Sequence, residues 1–312
     1  MRTLTLRELN RATLARQLLL RRARLSVPRA VEQIAGIQAQ DIPAAPLGLA
    51  TRLERSDLDR ALARGRVVKA TLMRGTLHIV TAEDRELFLA ALAPQLRKLG
   101  QRFGVPGSID DLLARAHAYA AEPRTVSELR ELLGSEEAWM RVRVEGHFVY
   151  APPFGAARSV RSALVELAPE EAGVSHLLTR YLRAFGPATA ADAAAWSGLT
   201  VSAVRAGLAR LRLRRFRDEQ GRELVDLPRA PLPPAETPAP PRLLPIWDNV
   251  LVAFDDRARV LPDAHRDAIG KASILVDGVV AGVWSGSALE PFERLPRRTL
   301  DELERERGRL LG

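Results

Sequence analysis

Thr189-Ala190-Ala191-Asp192-Ala193-Ala194-Ala195-Trp196-Ser197-Gly198-Leu199-Thr200-Val201-Ser202-Ala203-Val204 decides the fold. Thr189 to Trp196 reads as one helix, Ser197-Gly198-Leu199 as a tight turn, and Thr200 as the cap of a second helix from Val201 to Leu211. Leu177 to Phe185 supplies a helix before this pair. Gln220-Gly221 can turn a hairpin that ends at Leu224-Val225-Asp226-Leu227. Three helices followed by a β wing is the order of a winged helix.

The same order recurs twice. At the N-terminal end, Leu6 to Leu20 predicts a first helix. Val31, Ile34 and Ile37 recur at helical spacing after a Ser26 cap, and Asp57 to Ala63 predicts a third helix. Val67 to Met73 and Thr76 to Val80 then flank Arg74-Gly75 as a hairpin. In the middle, Thr125-Val126-Ser127-Glu128 is a capping box before Leu129, Leu132 and Leu133, with Gly134 as the stop. Val142-Arg143-Val144 and His147-Phe148-Val149-Tyr150 around Glu145-Gly146 predict a second wing. The expected units are residues 1–85, 86–170 and 171–227.

Residues 228–242 carry seven prolines and predict an extended, semi-rigid connector. Residues 243–312 are strand-rich, with Asp277-Gly278 between Ile274-Leu275-Val276 and Val279-Val280-Ala281 as a hairpin signal. Thr299-Leu300-Asp301-Glu302 predicts a capping box opening a terminal helix. The expected class is therefore α+β, mainly helical: tandem winged-helix units plus a small β-rich C-terminal domain.

The chain has 312 residues, 47 Lys+Arg against 38 Asp+Glu, and no Cys. That balance favours a polyanionic partner, most simply nucleic acid. The missing cysteine excludes disulfides, thiol nucleophiles and thiolate metal sites. No secretory h-region and no run of about 20 apolar residues is present, so no membrane association and a cytoplasmic, nucleoid-associated setting are expected. Phosphate-binding, dinucleotide-binding, serine-hydrolase and zinc-protease motifs are missing. The five histidines stand singly, so no metal site and no cofactor are expected. Winged helices meet phosphates through helix three and the wing. Arg205, Arg210 and Arg212 on the third unit, and Arg74, Thr76 and His78 on the first wing, are the candidates for this contact.

Gln38-Ala39-Gln40 closes the Val31 run just before Asp41-Ile42-Pro43. Pro43 disfavours helix at Ile42, so the helix is expected to end at about Gln40. In extended chain, residues two apart share a side, and the two amides can then converge on one target. A glutamine is neither acid nor base near neutral pH. Its carbonyl oxygen can orient a water, which suffices where the leaving group is already good. A cationic, N-alkylated purine is such a leaving group.

The chain resembles the winged-helix DNA-binding (HTH_42) family that includes the AlkZ- and YcaQ-type DNA glycosylases. Five stretches carry the resemblance: Gly36-Ile37-Gln38-Ala39-Gln40-Asp41, Leu72-Met73-Arg74-Gly75-Thr76-Leu77-His78, Arg180-Tyr181-Leu182-Arg183-Ala184-Phe185-Gly186-Pro187, Leu244-Pro245-Ile246-Trp247-Asp248-Asn249 and Val276-Asp277-Gly278. It implies a monofunctional glycosylase for N7-alkylpurines in double-stranded DNA, some members also unhooking interstrand crosslinks. Gln38 and Gln40 would be catalytic, with Asp41, Trp247, Asp248 and Asn249 in supporting places. A lysine nucleophile with a Schiff base is not implied, and neither is a deep base pocket. The same basic faces would suffice for a non-catalytic transcriptional regulator, which would bind a palindrome as a dimer. Three unlike units in one chain suit a monomer instead.

Overall fold

The computed structural model describes residues 1–152 and 158–312. It begins with a short strand β1 (Thr3–Leu4) and helix α1 (Leu6–Arg16), which Thr5 and Glu8 close with a reciprocal capping box. Then come α2 (Val27–Gln33), β2 (Ile37–Gln38), α3 (Ala44–Arg52) and α4 (Leu58–Ala63). The hairpin β3 (Val67–Thr71) and β4 (Leu77–Thr81) turns through Arg74 and Gly75, both at positive φ. The long α5 (Ala82–Gly100) leads to α6 (Ile109–Tyr119), β5 (Arg124–Thr125), α7 (Val126–Leu133), α8 (Glu136–Glu145), β6 (Val149–Ala151) and β7 (Ser159–Arg161).

The third repeat of the pattern matches its sequence most closely. It consists of α9 (Glu170–Phe185), α10 (Ala190–Ser197), α11 (Val201–Ala209) and the wing β8 (Arg214–Asp218) and β9 (Glu223–Asp226). Gly198 at φ +84 lets α10 stop and the chain reverse. β10 (Arg242–Leu244), α12 (Asn249–Val252), β11 (Ser273–Val276), β12 (Val279–Trp284), β13 (Leu289–Pro291) and α13 (Arg297–Leu311) complete the chain. The result is the mainly helical α+β class expected, with winged-helix units and a four-stranded C-terminal sheet in the order β10-β11-β12-β13.

The first two wings fuse into one sheet, β2-β4-β3-β6-β7-β5, through the antiparallel β3–β6 pair. β1 extends the third wing by pairing parallel to β8. The main core lies between α5 and α9, where Phe88, Tyr181, Phe185 and Trp196 pack ring against ring.

Four of the elements read from the sequence differ in the structure, and α3 was not read at all. The run from Val31 does not stay helical to Gln40. α2 ends at Gln33, Ala35 and Gly36 turn through left-handed φ of 59° and 86°, and Ile37–Gln38 is a strand. Gly36 permits this: a Cβ there would lie 2.8 Å from Val80 Cγ1 and 3.2 Å from the Ile79 carbonyl. Val31, Ile34 and Ile37 are nevertheless all buried together. The second wing is not centred on Glu145-Gly146, because Val142 and Val144 belong to α8. There Ala138, Trp139 and Val142 bury one helical face and Arg141 pairs with Glu145 one turn on. α1 stops at Arg16 rather than Leu20, since Leu18 takes φ 58°. Thr299 lies inside α13, which starts after Pro296, and Glu302 pairs with Arg298 instead of capping.

The proline-rich connector is strapped to α1. Prolines lack N–H donors but keep carbonyls, and α1 supplies the matching arginines. Arg16 reaches the Pro231 carbonyl, Arg7 that of Ala235 and Arg11 that of Thr237. The Asp277-Gly278 turn, with both residues at positive φ, seats on the same helix through Asn10 Nδ2 and Arg11. α1 thereby fixes the C-terminal sheet against the rest of the chain.

Candidate active site

β2 is the edge strand of the six-stranded sheet, and it carries Gln38. Its inner side pairs with β4, Ile37 opposite Ile79 and Gln38 opposite His78. Ala39 N–H continues the ladder to the Leu77 carbonyl at 2.8 Å. The Gln38–His78 pair is therefore the non-hydrogen-bonded kind, whose side chains stand closest on one face.

The outer side of β2 would expose the Gly36 carbonyl and the Gln38 N–H, and Asn249 covers both. Its Nδ2 donates to Gly36 O at 2.6 Å and its Oδ1 accepts from Gln38 N at 3.3 Å. One carboxamide thus completes the edge as a neighbouring strand residue would. Asn249 is placed by Asp248, whose carboxylate caps α12 and forms a two-pronged pair with Arg52, both bonds 2.7 Å. Arg52 also donates to Gly48 O, and this pair is wholly buried. Behind the turn, Gln17 Nε2 donates to the Ile34 carbonyl.

The two glutamines end up differently committed. Gln40 Oε1 accepts the Leu77 N–H at 3.2 Å, and the Gln40 carbonyl takes a long contact from Arg158. Gln38 is 9% exposed, and its Oε1 is buried with no partner among the described residues. An orphaned buried acceptor costs about 1–3 kcal/mol, which a water or ligand donating to it would recover.

His78 is buried beside Gln38 and is held neutral. Its Nδ1 donates to the Thr76 carbonyl at 3.1 Å. Burial first, then repulsion from Arg74, push the imidazole down to about 3. It therefore brings no charge to a phosphate. Thr76 Oγ1 turns back to Met73 O. Arg74 is committed to the Trp196 carbonyl at the end of α10, so it ties the first wing to the third unit's helix-turn-helix. Burial, then Arg257 nearby, lower its guanidinium to about 10.

On α11 and the loop after it, Arg205 and Arg212 are exposed and make no ion pair among the described residues, whereas Arg210 is paired with Glu171 at 2.6 Å. Trp247 is half-exposed at φ 57° against Gly270. Asp41 is partly exposed after the motif. The structure brings Gln38, Gln40, His78 and Asn249 together and places the α11 arginines on another element. Arg52 and Gln17, which hold the turn, carry no motif and are visible only from their contacts.

The family model described as DNA glycosylase AlkZ-like matches residues 31–312. The chain belongs to the AlkZ-like DNA glycosylase family. It is accordingly a DNA glycosylase and a DNA-binding protein. Among solved structures, Streptomyces sahachiroi DNA glycosylase AlkZ is similar, with a TM-score of 0.75 and 20% identity over 99% of this chain and 96% of that one. That likeness shows the shared fold. Comparison with curated proteins gave no match. No described helix of the glycosylase is long and apolar enough to cross a membrane.

Proposed function

We propose that this glycosylase hydrolyses the N-glycosidic bond of N7-alkylpurines in duplex DNA, interstrand crosslinks included, as a monomer and without a covalent intermediate. The observation that carries the reading is the unpartnered, buried Oε1 of Gln38 beside a Gln40 whose carboxamide is held by Leu77 N–H. A water donating to Gln38 Oε1 would have its lone pair free for the anomeric carbon. The carbonyl dipole would present its negative end to the cationic sugar.

Neither amide takes a proton. The alkylated base leaves with the bond's electron pair and its own positive charge is cancelled. The water adds, and its proton goes to solvent. Positioning and electrostatics supply the rate, so no general base is needed. Arg205 and Arg212 are the phosphate contacts in this reading. The division at residues 85, 170, 227 and 242 is its working organisation.

The test is release of N7-methylguanine from alkylated duplex by wild type, Gln38→Ala and Gln40→Ala. Both variants should lose most of the single-turnover rate while still binding the duplex. Excision at the wild-type rate by both would refute the assignment. Borohydride added during turnover should trap no protein–DNA adduct.

A further inference from the structure

On the sheet face opposite Gln38 lies a cavity of about 1030 Å³. Ala39, Ile79, Leu58, Leu62 and Leu310 supply apolar wall, and the chemistry stands on Lys69 of β3. The register explains the sidedness. Lys69 pairs with Ile79 and Ile79 with Ile37, a row that points away from the Gln38–His78 row. Ile42 and Leu311 ring the mouth, 43% and 51% exposed, so the cavity opens to solvent.

Lys69 is 5% exposed. Among the described residues its ammonium has neither hydrogen-bond nor ion-pair partner, and its one polarisable neighbour is the Tyr150 ring, 5.5 Å from Nζ. Arg158 and, less strongly, Asp41 are near enough to be felt, and neither forms a bridge to it. Asp57 and Asp59 also line the cavity, and Asp57 is occupied capping α4. An ammonium set in apolar wall without an ion-pair partner among the described residues favours an anion that comes into contact with it.

We propose that this cavity is a second ligand site, which takes a small organic anion with an apolar body, its carboxylate or sulfonate seated on the Lys69 ammonium. The volume suits a drug-sized molecule, and one charged anchor in an apolar lining is the ordinary composition of such a site. An occupant would lie against Ala39, the residue between the two glutamines.

The test is isothermal titration of the full chain with 4-phenylbutyrate, 4-phenylbutan-1-ol and 4-phenylbutylammonium, which share one body. Wild type should bind the acid about 10-fold or more tighter than the alcohol and should reject the ammonium. Lys69→Met should bind the alcohol at least as well as wild type, which also shows that it is folded, and should lose the preference for the acid. Lys69→Arg should keep it. Equal acid affinity in wild type and Lys69→Met, or no binding of the acid to wild type, would overturn the proposal.

Discussion

Asn249→Ala should disable the glycosylase without touching either glutamine. Asn249 makes two buried hydrogen bonds to the outer edge of β2, at 2.6 Å to Gly36 O and 3.3 Å to Gln38 N. Truncation leaves a buried carbonyl and a buried N–H without partners, each costing about 1–3 kcal/mol. Relaxation of a two-residue strand recovers some of this, so the expected loss of unfolding free energy is about 2–4 kcal/mol. The same relaxation moves Gln38. A misplacement on the order of 1 Å at a reacting group costs roughly 10²-fold in rate. Asn249→Asp sharpens the argument. It keeps the acceptor for Gln38 N–H but sets a carboxylate oxygen against the Gly36 carbonyl, so it should destabilise at least as much as alanine. Urea denaturation and single-turnover excision measure the two effects separately. Wild-type stability together with wild-type excision in Asn249→Ala would refute the account of Asn249 as the outer partner of β2.

The other expectations follow from the same contacts. Asp248→Ala strands the fully buried Arg52 guanidinium and should cost about 3–5 kcal/mol, whereas the double change Arg52→Met with Asp248→Leu should restore much of it, both read by denaturation. His78 is folded at about 3 against an ordinary value near 6.5. Its neutral form favours the native state above 6.5, and this stability is lost as pH falls from there toward 3. His78→Gln should therefore flatten the fall in unfolding free energy between pH 6 and 4 by up to about 1.4 kcal/mol per pH unit. A profile parallel to wild type would refute it. Arg205→Ala and Arg212→Ala should each lower the salt dependence of duplex binding by about one counterion. Arg210→Ala, already paired with Glu171, should change it less.

Net charge did not say which cations are free to meet DNA, and the buried residues show why. Eight of the Lys and Arg side chains are buried among the described residues: Arg11, Arg16, Lys69, Arg52, Arg85, Arg180, Arg242 and Arg259. Arg16 pairs with Asp226, Arg52 with Asp248 and Arg180 with Asp84, and others donate to backbone carbonyls. All but Lys69 build the fold, so composition could not say which cations were left for phosphates. Patterns set by local chemistry were legible: the Thr125 and Thr200 caps, the Gly198 turn, the Asp277-Gly278 hairpin. What sequence could not resolve was any choice made by a distant partner. Val142 and Val144 favour strand on their own but pack as helix.

Gln38 is the sharpest case. Val31, Ile34 and Ile37 satisfy a helix and a helix–turn–strand equally well, since all three are buried either way. What decides is Gly36, which can approach Ile79 and Val80 at left-handed φ, and Asn249, more than 200 residues on, which closes the new edge. The strand also changes the chemistry available to the motif. Within a helix the two glutamines, two residues apart, would point roughly 200° away from each other. On an edge strand, Gln40 is bound to the backbone of β4 while Gln38 is sealed with a free acceptor. The two amides are thus unequal, and Gln38→Ala should cost excision more than Gln40→Ala does.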